Sequence, residues 1–342
     1  MDFTMLSQLT QLFGPSGSEE LVAKFISTQV RPYCDELTTD TLGNLIVRRH
    51  GTGKRILIAA HMDEIGLMIT HIDKKGFLRF APLGGVHITN LIGQRVKFNN
   101  GRIGTIGVEK LEKPTDLKLE KLFLDIGAST QEEAEQLVQI GETVTFIGDF
   151  VESGSRIISK ALDDRIGCFV AIEALKRTKS THELAFVFTV QEEVGTRGAQ
   201  TAAFALEPDL AIAVDVTLTG DTPKAHTMSV ELGNGVGIKV LDRSMVTSPQ
   251  IKRWMAAVAT DKNIPFQWEI LEFGGTDSGA IHLSRGGVPS GVLSIPTRYV
   301  HSPAEMLDKR DVEAAVDLLV ALLESLEPQL ALTQTPLLLP FA

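Results

Sequence analysis

Apolar residues recur at helical spacing over residues 4–13 and again over 18–31, with Gly14-Pro15-Ser16-Gly17 between them. Such spacing turns one face of a helix toward a core, and the break supplies turn residues. Ser16 or Ser18 is a candidate cap for the second helix. Two short apolar runs follow, LGNLIVRRH and RILIAAHMD, which predict strands buried on both faces. From about residue 72 the pattern becomes a close succession of β-type segments: GFLRFAPLG, QRVKFNN, RIGTIGV, KLFLDIG and TVTFIGDFV. Asn100-Gly101 predicts a two-residue hairpin turn between two of them. One helix interrupts, STQEEAEQLVQIG, with Ser129 and Glu132 spaced as a capping box.

Helix and strand then alternate again. DDRIGCFVAIEALKR, TRGAQTAAFAL, SPQIKRWMAAVATDKN and the closing KRDVEAAVDLLVALLESL read as helices, and ELAFVFTVQEE, DLAIAVDV and PSGVLSI as buried strands. The expected architecture is α/β: a mixed sheet flanked by helices, built from residues 1–71 and 156–342. A small β-rich, barrel-like domain over 72–155 is inserted into it. The 342 residues fit two such units at a prior of roughly 150 residues each.

Composition narrows the function. The 33 basic and 43 acidic residues leave a formal charge of −10, which argues against a nucleic-acid partner and suits a protein that collects cations. Cys34 and Cys168 are too few for a disulfide framework and fit a reducing, cytoplasmic compartment. The N-terminal segment lacks a basic region and carries Asp2, unlike a signal peptide. No apolar run reaches the ~18 residues that span a bilayer, so no membrane partner is expected. The tail LALTQTPLLLPFA is expected to pack on the surface or at a subunit contact.

The candidate chemistry lies just past the buried strands. RILIAA runs into His61-Met62-Asp63, ELAFVFTV into Gln191-Glu192-Glu193, DLAIAV into Asp215, and PSGVLSI leads to His301. Ligands of open α/β sheets bind beyond the carboxyl ends of the strands. Asp163-Asp164 opens the helix after the inserted domain and joins the same rim. Each group alone has a structural explanation: a strand end in solvent, a helix cap, a loop. Together they place imidazoles and acids where they must be solvated, paired or bound to metal. Two histidines with three or four carboxylates supply ligands for zinc-like or cobalt-like divalent ions. Two ions need a bridging carboxylate, and a further acid must stay free to move a proton. Adjacent Glu192 and Glu193 can divide ligation and proton transfer, since neighbouring side chains in extended backbone point apart. Asp63 is placed to hold the second nitrogen of His61.

The motifs AAHMDEIG, SKALDDRIG, VQEEVGTRGA, AVDVT, EFGGTDSGAIHLSRGGVPS and RYVHSP, in this order, resemble those of the glutamyl aminopeptidase and tetrahedral aminopeptidase family. The resemblance runs over nearly the whole chain. It implies a dinuclear metallopeptidase that removes N-terminal residues from peptides, with two divalent ions (zinc or cobalt) per subunit. By it Asp163 bridges the ions, His61 and Asp215 complete one site, and Glu193 and His301 the other. Glu192 is then the general base and Asp63 orients His61. Asp277 would structure the GGTDSGAIHL loop, and His282 is packed or supporting rather than a ligand. The inserted domain is implied to mediate self-association, as a dimer or a tetrahedral dodecamer. In that domain Thr115-Asp116 stands where many relatives carry a histidine after the proline, which bears on substrate preference and assembly. A two-metal dipeptidase or deacylase is the nearest alternative. An endoglucanase leaves both histidines unexplained, and a non-catalytic binder leaves Glu192 without a purpose.

Overall fold

In the computed structural model, which describes residues 1–325, the apolar runs form an eleven-stranded sheet. Its centre is four parallel strands in the order Glu183–Thr189, Arg55–His61, Leu210–Thr217 and Ser290–Arg298. All of Leu210–Thr217 is buried, as helices on both faces require. Alternate residues serve opposite cores. Ile56, Ile58 and Ala60 pack with residues of helices Leu162–Arg177 and Lys309–Glu324, whereas Leu57 and Ala59 pack with helix Arg197–Leu206. Antiparallel strands extend the sheet, with Leu45–Arg49 beside Glu183–Thr189 and Glu305–Asp308 beside Ser290–Arg298.

Six further strands close a barrel in the order Gly66–Ile72, Leu78–Leu83, Leu122–Asp125, Ile103–Val108, Arg95–Phe98 and Thr143–Phe146. The barrel has its own core, including Leu67, Ile69, Leu78, Val96, Phe98, Leu124 and Val144. It opens at Gly66, ahead of the expected boundary at 72, since GLMITHI, after the polar break at His61, Asp63 and Glu64, is already the first barrel strand. At the other end Val151–Ser153 pairs with Arg156–Ser159 in the large sheet, so the barrel ends before residue 155.

Several local expectations are corrected. Neither Ser16 nor Ser18 caps helix Glu20–Val30, whose N-terminal flank is Glu19 without a side-chain cap. Ser16 Oγ instead donates to Asp63 Oδ2 at 2.6 Å, and Ser18 Oγ lies 3.1 Å from Thr143 Oγ1. In the barrel helix the cap is Thr130, which accepts from Glu133 N, one residue along from the expected pair. Phe98 and Arg102 close the hairpin over three residues, with Gly101 at φ 86°. That geometry suits a glycine in the left-handed position. Strands Val236–Leu241 and Phe266–Ile270 were not anticipated, since the half-exposed edge strand FQWEI carries no apolar run. The apolar tail over 330–342 lies outside the described residues. Among the described residues no helix is long and apolar enough to cross a membrane, and both cysteines are free.

Sheet and barrel meet at a buried ion network. Glu64, 2% exposed, accepts from Lys160 Nζ at 2.7 Å and from the barrel's Thr145 Oγ1 at 2.6 Å, and lies 3.4 Å from Arg165. Arg165, fully buried, donates to the carbonyls of Met62 and Leu9. Burial pulls the Lys160 ammonium below its ordinary pKa, with Glu64 opposing. Removing one member of a buried ion network leaves the others uncompensated. Glu64→Gln is therefore expected to lower unfolding free energy by about 3 kcal/mol or more, read from denaturant melts. A loss under about 1 kcal/mol would mean that water already screens the network.

Candidate metal centre

The four parallel strands present their carboxyl ends to one rim. His61 ends its strand, Glu192 and Glu193 follow Thr189, Asp215 sits near the end of the third, and His301 follows Arg298. Asp163 arrives from a different direction, in the turn between Arg156–Ser159 and the long helix. It and Asp164 have non-helical backbone angles, and the peptide bond between them is cis. All the expected residues converge. His61 Nε2 lies 3.1 Å from Asp163 Oδ1, and 3.9 Å from both Asp215 Oδ1 and Glu192 Oε2. His301 Nε2 lies 3.2 Å from Asp163 Oδ2 and 3.2 Å from Glu193 Oε2. Asp163 thus turns one oxygen to each imidazole.

The other ring nitrogens are fixed by backbone carbonyls. His61 Nδ1 is 3.1 Å from Asp63 O, and His301 Nδ1 is 3.0 Å from Gly85 O. A proton on each Nδ1 satisfies these contacts and turns each Nε2 toward the carboxylates, where it can ligate once a cation displaces its proton. Asp63 does more than face His61, whose Nδ1 is 3.4 Å from its Oδ1. Its carboxylate also accepts from Glu192 N at 2.9 Å and Glu193 N at 3.2 Å, so it fixes the backbone of both glutamates. Glu305, 2% exposed, accepts from Asp163 N at 3.0 Å and His301 N at 2.9 Å. One buried carboxylate thereby ties together the backbones of two candidate ligands.

Asp164 lies close enough to share an ion with His61 and Asp215, as Asp163 does with His61 and Glu193. Its two oxygens are already engaged, Oδ2 by His61 N at 3.1 Å and Oδ1 by Gly167 N at 3.0 Å. Asp164 therefore anchors the His61 backbone and the helix start, while Asp163 is the carboxylate open toward both imidazoles. Asp277 accepts from Thr189 Oγ1 at 2.5 Å at the base of the glutamate loop. His282 Nδ1 is 3.0 Å from Ser278 O, and His282 does not line the pocket that His61 and His301 share.

The electrostatics call for added positive charge. Burial disfavours charged His301, yet Glu193 and Asp163 hold its pKa up to about 12. Burial likewise opposes His61, and Asp163 and Asp63 raise it well above its ordinary value. Burial would raise Asp163, but His301 and His61 bring it below the ordinary carboxylate range. Two imidazoles do not suffice for the rest. Burial pushes Asp215 and Glu192 well above that range, with Asp163 adding to the rise at Asp215 and Asp215 itself adding to it at Glu192. Glu193 Oε1 is buried without a hydrogen-bond partner. An orphaned carboxylate oxygen, two imidazole Nε2 atoms turned toward the carboxylates and a surplus of acids are a donor set that fits divalent cations.

Some contributors escaped sequence reasoning. Glu305 lies in a short strand and shows no motif of its own. Gly85 belongs to the loop between the barrel strands Leu78–Leu83 and Arg95–Phe98, in the domain expected to serve subunit contact. A Cβ there would stand 2.6 Å from His301 Nδ1, so only glycine lets this carbonyl reach the ring. The barrel therefore supports the site directly, and His87 lines the same pocket. Positive φ at Ala161, Gln191, Thr196, Tyr299 and His301, between 49° and 62°, clusters around the site. Such backbone at non-glycine residues persists where surrounding structure enforces it.

The family model of the M42 glutamyl aminopeptidases matches residues 43–318. A protein of Acetivibrio thermocellus named as a candidate aminopeptidase is 53% identical over 320 residues, 93% of this chain and 97% of its own. The fold superimposes on an aminopeptidase from Desulfurococcus kamchatkensis with a TM-score of 0.90 at 38% identity, covering 94% of each chain. It also superimposes on the Pyrococcus horikoshii TET1 peptidase, which can assemble into a tetrahedron or a large octahedral shell. There the TM-score is 0.85 at 34% identity, over 94% of this chain and 99% of that one. Sequence, fold and the converging donors agree, and the chain belongs to the M42 glutamyl aminopeptidase family, as a peptide hydrolase of the aminopeptidase class.

Proposed function

We propose that this protein removes N-terminal residues from peptides at a centre of two divalent ions, zinc or cobalt, held by His61, Asp163, Glu193, Asp215 and His301. The observation that carries the reading is Asp163, with one oxygen toward each of two imidazoles anchored at Nδ1. Charge supports the number of ions. Asp163, Glu192, Glu193 and Asp215 bring four formal negative charges, which two divalent ions balance and one does not. Asp163 is assigned as the bridge, His61 and Asp215 to one ion, and Glu193 and His301 to the other. Bound there, the ions supply an activated water and a Lewis-acid contact for the scissile carbonyl.

The protein's own groups do the rest. Glu192 lies 3.9 Å from His61 Nε2 and is not needed as a ligand. It takes the proton from the attacking water and delivers it to the leaving amine. Asp63 keeps Glu192 and Glu193 apart in these roles by binding both backbone N–H groups. The substrate's free α-amine would be anchored at the ions or by a nearby carboxylate, which selects for an unblocked N-terminus. A glycosidase needs two carboxylates across a sugar bond and gives no role to two aimed imidazoles.

A peptide offered free and N-acetylated, with added zinc or cobalt and with chelator, tests this reading. The free peptide should shorten stepwise from its N-terminus, and chelator should stop it. Glu192→Gln should lower kcat by roughly 100-fold or more with metal content unchanged. Equal cleavage of the blocked peptide would move the assignment to a deacylase or dipeptidase.

We also propose that the barrel mediates self-association, into a dimer or a tetrahedral dodecamer. The assembly named for the Pyrococcus horikoshii relative supports this. So does the exposure of Ile92, Ile103 and Ile140 on the barrel. Charged substitutions at these three isoleucines should reduce the mass measured by light scattering; an unchanged mass would remove the barrel from the interface.

A further inference from the structure

The strand Glu183–Thr189 leaves the sheet at Thr189, and the next residues lead to Glu192 and Glu193. Beyond the sheet their backbone donors need partners from elsewhere. Each finds a buried side chain from the N-terminal part of the chain. Val190 N donates to Asn44 Oδ1 at 3.0 Å, Gln191 N to Glu19 Oε1 at 3.1 Å, and Glu192 N and Glu193 N to the two oxygens of Asp63. Asn44, Glu19 and Asp63 are all buried.

Within this run Gln191 adopts left-handed backbone, with φ 56°. A residue other than glycine holds that conformation only where its surroundings enforce it. The turn it makes decides where the next side chain points, and that side chain is Glu192. Glu19, which holds the Gln191 N–H, is itself fixed. Its Oε1 also accepts from Gly17 N at 2.8 Å. The loop that carries it is pinned to the segment after His61: Gly14 O accepts from Glu64 N at 3.1 Å, and Ser16 Oγ donates to Asp63. Neither Glu19 nor Gln191 lines the pocket of the metal centre. Glu19 therefore acts on the base from behind, through backbone.

We infer that Glu19 is a positioning residue for the reaction: by accepting the Gln191 N–H it holds the left-handed turn that aims the Glu192 carboxylate. The inference rests on the reading of Glu192 as the base and adds the residue that orients it. The role requires an acceptor oxygen at a fixed reach and does not require charge.

Two substitutions separate reach from charge. Glu19→Gln keeps the side-chain length and an acceptor oxygen but removes the charge. Glu19→Asp keeps the charge and withdraws the oxygen by one methylene. Each metal-loaded variant is assayed on an unblocked peptide beside wild type, with bound metal counted and amide hydrogen exchange followed over residues 190–193. Glu19→Gln should match wild type in all three. Glu19→Asp should lower kcat and kcat/KM together by roughly 10-fold or more, since a misplaced base costs at least that much. Its KM and bound metal should stay unchanged, and exchange over 190–193 should quicken in this variant alone. An impaired Glu19→Gln, or a Glu19→Asp as fast as wild type, would overturn the inference and leave the aminopeptidase intact. Loss of bound metal by Glu19→Asp would overturn it too, making Glu19 a support of the ligands rather than of the base. If wild type cuts no unblocked peptide, the proposed function fails and this inference falls with it.

Discussion

Asp163 faces His61 and His301 at nearly equal distance, and the surrounding structure resists the repulsion that this arrangement creates. Four carboxylates in one buried pocket are unstable neighbours. They are held by contacts that do not depend on their own charge: Asp63 on two glutamate N–H groups, Glu305 on the N–H groups of Asp163 and His301, Asp164 on His61 N. The supporting groups are themselves acids, accepting from backbone. Each converts an acidic side chain into a positional constraint.

The large sheet supplies the geometry. Parallel strands with both faces buried leave their polar side chains only at the ends, and four strands ending on one rim bring distant segments of the chain within a few ångströms. The barrel, whose strands lie between Gly66 and Phe146, is not a bystander. The segment leaving its strand Leu78–Leu83 places Gly85 O on His301, and Thr145 joins the Glu64 network beneath Arg165. The barrel and the integrity of the site are therefore mechanically linked.

Much of this was readable from residues alone. The buried strands announced themselves as apolar runs, and the acids and histidines stood just past their ends. His61, Glu192, Glu193, Asp215 and His301 stood out as candidates because a charged group after an apolar run is costly unless used, and Asp163 as part of the acid pair that opens the helix after the inserted domain. Glu305 and Gly85 did not, since their work is a hydrogen bond to a residue distant in sequence, and no local pattern encodes a contact. The strand Phe266–Ile270 was missed because half of it is exposed, which removes the hydrophobic signal. Ser16 showed the opposite failure: its spacing suited a helix cap, but Asp63, brought close only by the fold, offered a buried charged acceptor.

The two-ion claim is tested most directly by counting. Protein stripped with chelator, reloaded with zinc and analysed for bound metal should hold two ions per subunit, and Asp163→Asn should lose affinity for both together. One ion per subunit, or an Asp163→Asn protein that keeps two at unchanged affinity, would contradict the account of Asp163 as the shared ligand.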